Sequence, residues 1–142
     1  MRVALREIDE TWHIKERSGM QKINIAEGFA SFSDTWSPRV AGVVGGMEVK
    51  LAKFSGEFVW HHHEVEDELF LVVRGRLRMR LRDGDIVVNP GEFLIVPHGT
   101  EHCPVAEEDC EVLLLEPATT VNTGNVRNER TVTALDRIDQ TS

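Results

Sequence analysis

The sequence predicts an all-β fold, and three observations carry that reading. Apolar and charged residues alternate with a period of two at Met47–Leu51 and again through Arg76-Leu77-Arg78-Met79-Arg80-Leu81-Arg82, as expected when successive side chains face opposite sides of a strand. Short apolar runs are separated by turn formers at Gly75, Asp83-Gly84, Asn89-Pro90-Gly91 and Pro97-His98-Gly99, a texture that belongs to sandwiches and barrels. No helical period runs through the central region.

Taken in order, residues 1–38 read as an irregular N-terminal extension, punctuated at its end by Trp36-Ser37-Pro38-Arg39. The first clear strand is Met47–Leu51, with Val49 and Leu51 on its inner face and Glu48 and Lys50 on the other. Phe58–His63 is the next extended segment, and an acidic loop, Glu64–Asp67, follows it. Leu69–Val73 is a continuous apolar strand that ends at Gly75, and the arginine-alternating strand comes next. Asp83-Gly84 reads as a two-residue hairpin turn with both residues at positive φ, returning through Asp85–Val88. Phe93–Val96, His102–Ala106 and Val112–Leu115 complete the series. Residues 39–117 thus form the barrel and 118–142 a short tail, in which Thr131–Ile138 reads as a short helix or a last extended segment.

A chain of 142 residues is long enough for one domain with a real core. The N-terminus has no apolar stretch of the signal-peptide kind, and no apolar run reaches membrane-spanning length. A net charge of -8 argues against nucleic acid, whose affinity rests on cations meeting phosphates. Alternation with apolar partners makes the four arginines a solvated sheet face rather than an anion site. The 2 cysteines, Cys103 and Cys110, form no CxxC pair, which fits a reducing cytoplasmic setting. Cys103 follows His102 directly, so on a strand it points away from whatever His102 serves and reads as a small buried thiol.

The chemistry concentrates in Gly56–Gly75, GEFVWHHHEVEDELFLVVRG. Strand alternation sends His61 and His63 to one side and leaves His62 facing outward. Glu68 follows in the same segment, and His102 arrives in GEFLIVPHGTEH. Neutral imidazoles with a carboxylate suit a divalent first-row metal such as Fe, Mn, Ni, Co or Zn. His61, His63, Glu68 and His102 are the candidate ligands. Glu68 is also the candidate catalytic group, because a carboxylate can exchange coordination for a proton. By parity, Val49, Leu51, Val59, Phe70, Leu77, Met79 and Leu81 are the inward residues, as pocket lining or simply as core. His98 and Glu101, on the turn before His102, each read as an acid–base group at the mouth or as a solvated turn residue, and the solvated reading is favoured.

These two segments resemble the paired motifs of the cupin superfamily, G-x5-H-x-H-x3,4-E-x6-G and G-x5-P-x-G-x2-H-x3-N. Gly56, His61, His63, Glu68 and Gly75 correspond to the first, and Gly91, Pro97, Gly99 and His102 to the second. Gly56 stands one residue closer to His61 than the family spacing, and Ala106 occupies the place of the Asn. The resemblance, which runs over about residues 40–117, implies a double-stranded β-helix (a jelly-roll barrel) that brings the four ligands to one ion. It is similar in particular to small single-domain cupins of the mannose-6-phosphate isomerase-like kind, whose chains open near a sequence like the one at Met20. That likeness implies a homodimer, paired through an N-terminal strand. The expected function is a metal-dependent enzyme on a small organic molecule, by oxygenase or sugar isomerase-like proton-transfer chemistry. A non-catalytic metal-dependent binding module for a sugar or other small ligand is the alternative.

Overall fold

The structure, a computed structural model, describes residues 19–139. Residues 1–18 of the N-terminal extension therefore lie outside it. Among the described residues a helix, α1 (Ile25–Ala30), precedes six strands: β1 (Arg39–Val44), β2 (Met47–Glu57), β3 (Glu68–Leu81), β4 (Ile86–Val88), β5 (Phe93–Val96) and β6 (His102–Pro117). The strands form one antiparallel sheet in the order β1-β2-β6-β3-β4, with β5 also paired to β3. Among the described residues no helix is long and apolar enough to cross a membrane.

Two stretches that read as separate strands in the sequence are single long ones. Leu69–Val73 and Arg76–Leu81 merge into β3, with Arg82 left to the following turn, and His102–Ala106 and Val112–Leu115 merge into β6. Along their shared ladder the register slips between Val72 and Arg74, between Arg74 and Arg76, and between Arg76 and Arg78. Such irregularities bend a ribbon. The bend is centred on Gly75, at φ 83°, where an added Cβ would lie 2.2 Å from the Asp109 carbonyl oxygen. Only glycine fits that conformation and that gap. The arginines beyond the bend face acidic partners: Arg78 lies by Asp85 and Glu107, Arg80 by Glu57, and Arg82 by Glu101.

Three local expectations are corrected. The N-terminal segment is not wholly irregular. Asn24 caps α1 by accepting from the Glu27 amide at 2.9 Å, and Gly28 lets the helix settle onto Leu51. A six-residue helix shows no period in the sequence and is held by packing. Between residues 19 and 38 no strand is present. The helix covers Val49 and Leu51, so these two residues pack outward against Phe29, Phe32 and Ile138. The inner face of β2 is Lys50, Ala52 and Phe54 instead, with Ala52 and Phe54 in the main core. Asp83 does not take positive φ: only Gly84 does, and the β3–β4 connection spans residues 82–85 with the Gly84 amide donating to Leu81. The tail resolves as extended: Arg137 bridges Val40 in parallel and the Ile138 amide donates to the Val40 carbonyl.

The main core fills the curled sheet with Phe70, Val72, Leu77, Met79, Val112 and their neighbours. Trp36 enters it from the β1 approach at φ 58°, a left-handed conformation that is costly for a bulky residue. Stacking on Phe54 at 4.3 Å and Phe58 at 4.5 Å holds it there, and its indole N–H donates to the Ser55 carbonyl at 2.9 Å.

Candidate metal centre

The HxH segment does not run as a regular strand. His61 makes a lone antiparallel bridge with His102, each amide donating to the other's carbonyl at 3.0 and 2.9 Å. Alternation nevertheless holds locally: His61 and His63 are 3% and 4% exposed, while His62 turns outward. Glu68 opens β3 and His102 opens β6. All four expected ligand residues come together, buried, with one ligand atom from each lying within 4.8 Å of the others.

The orientation of two of the rings is set by backbone. His61 Nδ1 lies 2.9 Å from the Val59 carbonyl, and His102 Nδ1 lies 2.8 Å from that of Thr100. A carbonyl only accepts, so both rings carry the proton on Nδ1 and present the Nε2 lone pair inward, the arrangement of metal-binding histidines. His63 Nε2 and His102 Nε2 approach Glu68 Oε1 at 3.1 and 3.3 Å. Those three atoms are buried without a hydrogen-bond partner, which is costly unless something else satisfies them. A divalent cation does so, and the donor set of imidazole nitrogens and a carboxylate oxygen suits one. Burial, then neighbouring His102, lowers His61 to about 4, so its lone pair is free at neutral pH. Burial pushes Glu68 up, but its close contacts with His102, His63 and Glu116 outweigh it and hold the carboxyl well below its usual range.

A cleft with about 370 Å³ of empty space, part of it open to solvent, reaches this cluster. His61 and Glu68 form one side of it, and Trp36, Phe54, Phe58 and Phe70 much of the rest. Of the residues expected to line it, only Phe70 does. Leu77 and Met79 are core, Val59 and Leu81 pack against that core, and Val49 and Leu51 lie beneath α1.

Glu116 also lines the cleft and was not foreseen. It is 2% exposed; Oε2 accepts from Lys50 Nζ at 2.6 Å, and Oε1 has no partner. Burial, then the neighbouring Glu68 carboxylate, raises Glu116 well above the ordinary range, against the pull of Lys50. A signal was present, because Glu116 shares parity with the inward Val112 and Leu114 of β6. Lys50 alternates with apolar residues as a solvated side chain would, and turns inward because Glu116 awaits it.

The acid–base reading of the mouth finds no geometry. His98 Nδ1 meets Asp67 at 2.9 Å on the surface, and Glu101 receives Arg82 at 2.7 Å. Both cysteines are free, buried thiols apart from the cluster; burial pushes Cys103 up to about 11 and Cys110 to about 12.

Comparison with known proteins agrees with this architecture. Residues 47–116 match the family model described as a cupin domain. A solved cupin-2 domain protein from Shewanella frigidimarina is 42% identical, with 67% of this chain and 93% of that one aligned at a TM-score of 0.66. The chain belongs to the cupin family, and its curled sheet is the family's double-stranded β-helix. The uncharacterised Bacillus subtilis protein YdbB is 44% identical over 55 residues, 38% of this chain and 49% of that protein. An acireductone dioxygenase of Bacillus licheniformis is 32% identical over 69 residues, 45% of this chain and 38% of the enzyme. The chain thus matches half or less of the length of these two curated relatives.

Proposed function

We propose that this protein is a metal-dependent enzyme acting on a small organic molecule, with dioxygenase chemistry the favoured reading. The observation that carries it is that the four-residue cluster borders a cleft: His61 and Glu68 belong to both. A structural site is closed on all sides by protein ligands, whereas a catalytic one keeps an open side. His61, His63, Glu68 and His102 would hold the ion, which when bound supplies Lewis acidity and, for a redox metal, chemistry with O2. The likeness to an acireductone dioxygenase supports that direction.

The chain's own contribution is positioning and exclusion. Backbone carbonyls at Val59 and Thr100 fix two imidazoles. Aromatic side chains line the approach to the cluster, and Glu68 would be the group to hold or release a proton at Oε1. Metal analysis of protein purified without chelators tests the reading. About one iron per chain, with O2 uptake on a panel of enediols and phenols, is expected. Stoichiometric zinc without turnover on any substrate would leave a non-catalytic binding module instead. A Glu68→Gln protein that keeps its metal and loses turnover supports the proton role, while loss of the metal reduces Glu68 to a ligand.

We also propose a homodimer in a cytoplasmic setting. Phe93 and Ile95 on β5 are 61% and 52% exposed, apolar surface that a second copy would cover. A light-scattering mass of one chain would overturn the dimer.

A further inference from the structure

The three consecutive histidines place their backbone hydrogen bonds on three different segments. His61 and His102 each donate to the other's carbonyl, at 3.0 and 2.9 Å. The His63 carbonyl accepts from the Gly99 amide at 2.7 Å. His62, which is no candidate ligand, is held by the tail. Its amide donates to Asn125 Oδ1 at 2.8 Å, and its carbonyl accepts from the Asn125 amide at 3.0 Å. These residues lie between β2 and β3, so the contacts stand in for a sheet ladder.

Asn125 thereby pins both peptide units that join the two inward histidines. The His62 amide belongs to the plane shared with His61, and the His62 carbonyl to the plane shared with His63. A residue has only two soft torsions, so holding both planes fixes the angle between the side chains of His61 and His63. The rings differ in how they are secured. His61 and His102 each rest Nδ1 on a carbonyl. His63 makes its one polar ring contact among the described residues through Nε2, with Glu68. Its aim therefore depends on the backbone beneath it. Asn125 itself is exposed, so its side chain is not needed to fill the core.

We infer that Asn125 is a positioning residue of the metal centre: by clasping His62 it sets the aim of His61 and His63, and with it the affinity for the ion. This rests on the metal-binding reading of the cluster. Partners behind metal-binding histidines usually act through the ring; this one acts through the main chain. The coupling is reciprocal, so an ion that favours the clasped backbone also tightens the clasp.

The test measures Co(II) affinity of the full chain, through the visible band of the bound ion, in wild type, Asn125→Ala, Asn125→Asp and Asn128→Ala. Asn125→Ala removes one hydrogen bond and is expected to weaken Co(II) about fivefold or more, with a shifted band at saturation. Asn125→Asp keeps an acceptor for the His62 amide and is expected to return to within about twofold of wild type. Asn128→Ala loosens the tail elsewhere, because Asn128 Oδ1 accepts from the Arg130 amide at 2.8 Å. It is expected to bind like wild type. Wild-type affinity in folded Asn125→Ala overturns the inference, as does equal weakening in Asn128→Ala or no recovery in Asn125→Asp. A second measurement needs no variant. Zn(II) is expected to slow hydrogen exchange at the wild-type His62 amide by about the same factor, and unchanged exchange there overturns the inference. Wild-type chain that takes up neither ion overturns the metal reading, and this inference with it. Uptake by the wild type with no effect at Asn125 overturns the inference alone.

Discussion

His61 and His62 are adjacent in the chain and opposite in chemistry. His61 is buried, tied through Nδ1 to a backbone carbonyl, and lowered to about 4 by that burial. His62 faces outward, meets Glu64 at 2.8 Å and is raised by that hydrogen bond. His102 and His98 repeat the contrast on the other motif: His102 is fully buried against a carbonyl, and His98 is exposed against Asp67. A histidine anchored by a neutral acceptor in a dry site offers a lone pair. The outward His62, held by carboxylates, is drawn toward its protonated form instead. The hydrogen-bond partner and the burial, not the residue type, separate the two roles.

The sharpest way to break that contrast is to delete one histidine of each kind. His102→Ala is expected to abolish stoichiometric metal binding, whereas His98→Ala keeps it at the wild-type level. Equal metal loss in both, by elemental analysis, would erase the distinction.

The second test removes what holds the two faces apart. Gly124, at φ 57°, is so close to the His segment that an added Cβ would sit 2.2 Å from the His62 carbonyl oxygen and 3.0 Å from the His61 ring. Next to it, Asn125 accepts from the His62 amide at 2.8 Å and donates back to its carbonyl at 3.0 Å. Gly124→Ala combines left-handed strain with a backbone clash, and is expected to cost about 3 kcal/mol. Urea unfolding measures it, and a loss under about 1 kcal/mol would show that the tail does not brace the motif.

Third comes acid. His61 has a folded pKa depressed from 6.5 to about 4. The unfolded chain therefore takes up the proton first as pH falls. Stability of the metal-free protein is whole above about pH 6.5 and declines until about pH 4, by about 3 kcal/mol from this group. His61→Gln should flatten that slope in chemical denaturation run at pH 7, 5.5 and 4, and an unchanged slope would assign the acid sensitivity elsewhere. The smallest effect is at His62, where the raised folded pKa reverses the sign. Its contribution is present below 6.5 and fades as pH rises through the folded value. An NMR titration should place His62 above 6.5 in the wild type and closer to it in Glu64→Gln.

Much of the architecture was legible because turns and alternation are local. His61, His63, Glu68 and His102 could be picked out by spacing, and the structure brings all four together. The errors share a cause: they concern groups whose direction is decided by something distant in sequence. Val49 and Leu51 read as inward until α1, which has no periodic signature, covers the other side of β2. Lys50 reads as solvated until Glu116, 66 residues away, claims it. Gly124 and Asn125 read as tail, yet Gly124 packs against the motif and Asn125 holds it through side-chain and backbone hydrogen bonds that no spacing rule encodes.

The bend at Gly75 has one more consequence. A strand of 16 residues such as β6 would span about 50 Å if straight. Here His102 opens it and Glu116 stands one residue from its end, and both lie beside Glu68. The β3–β6 ribbon is a pair of tweezers hinged at a glycine, with its tips meeting where the ion would sit. A metal held there would latch the barrel, and amide exchange near both tips should slow together when it is added.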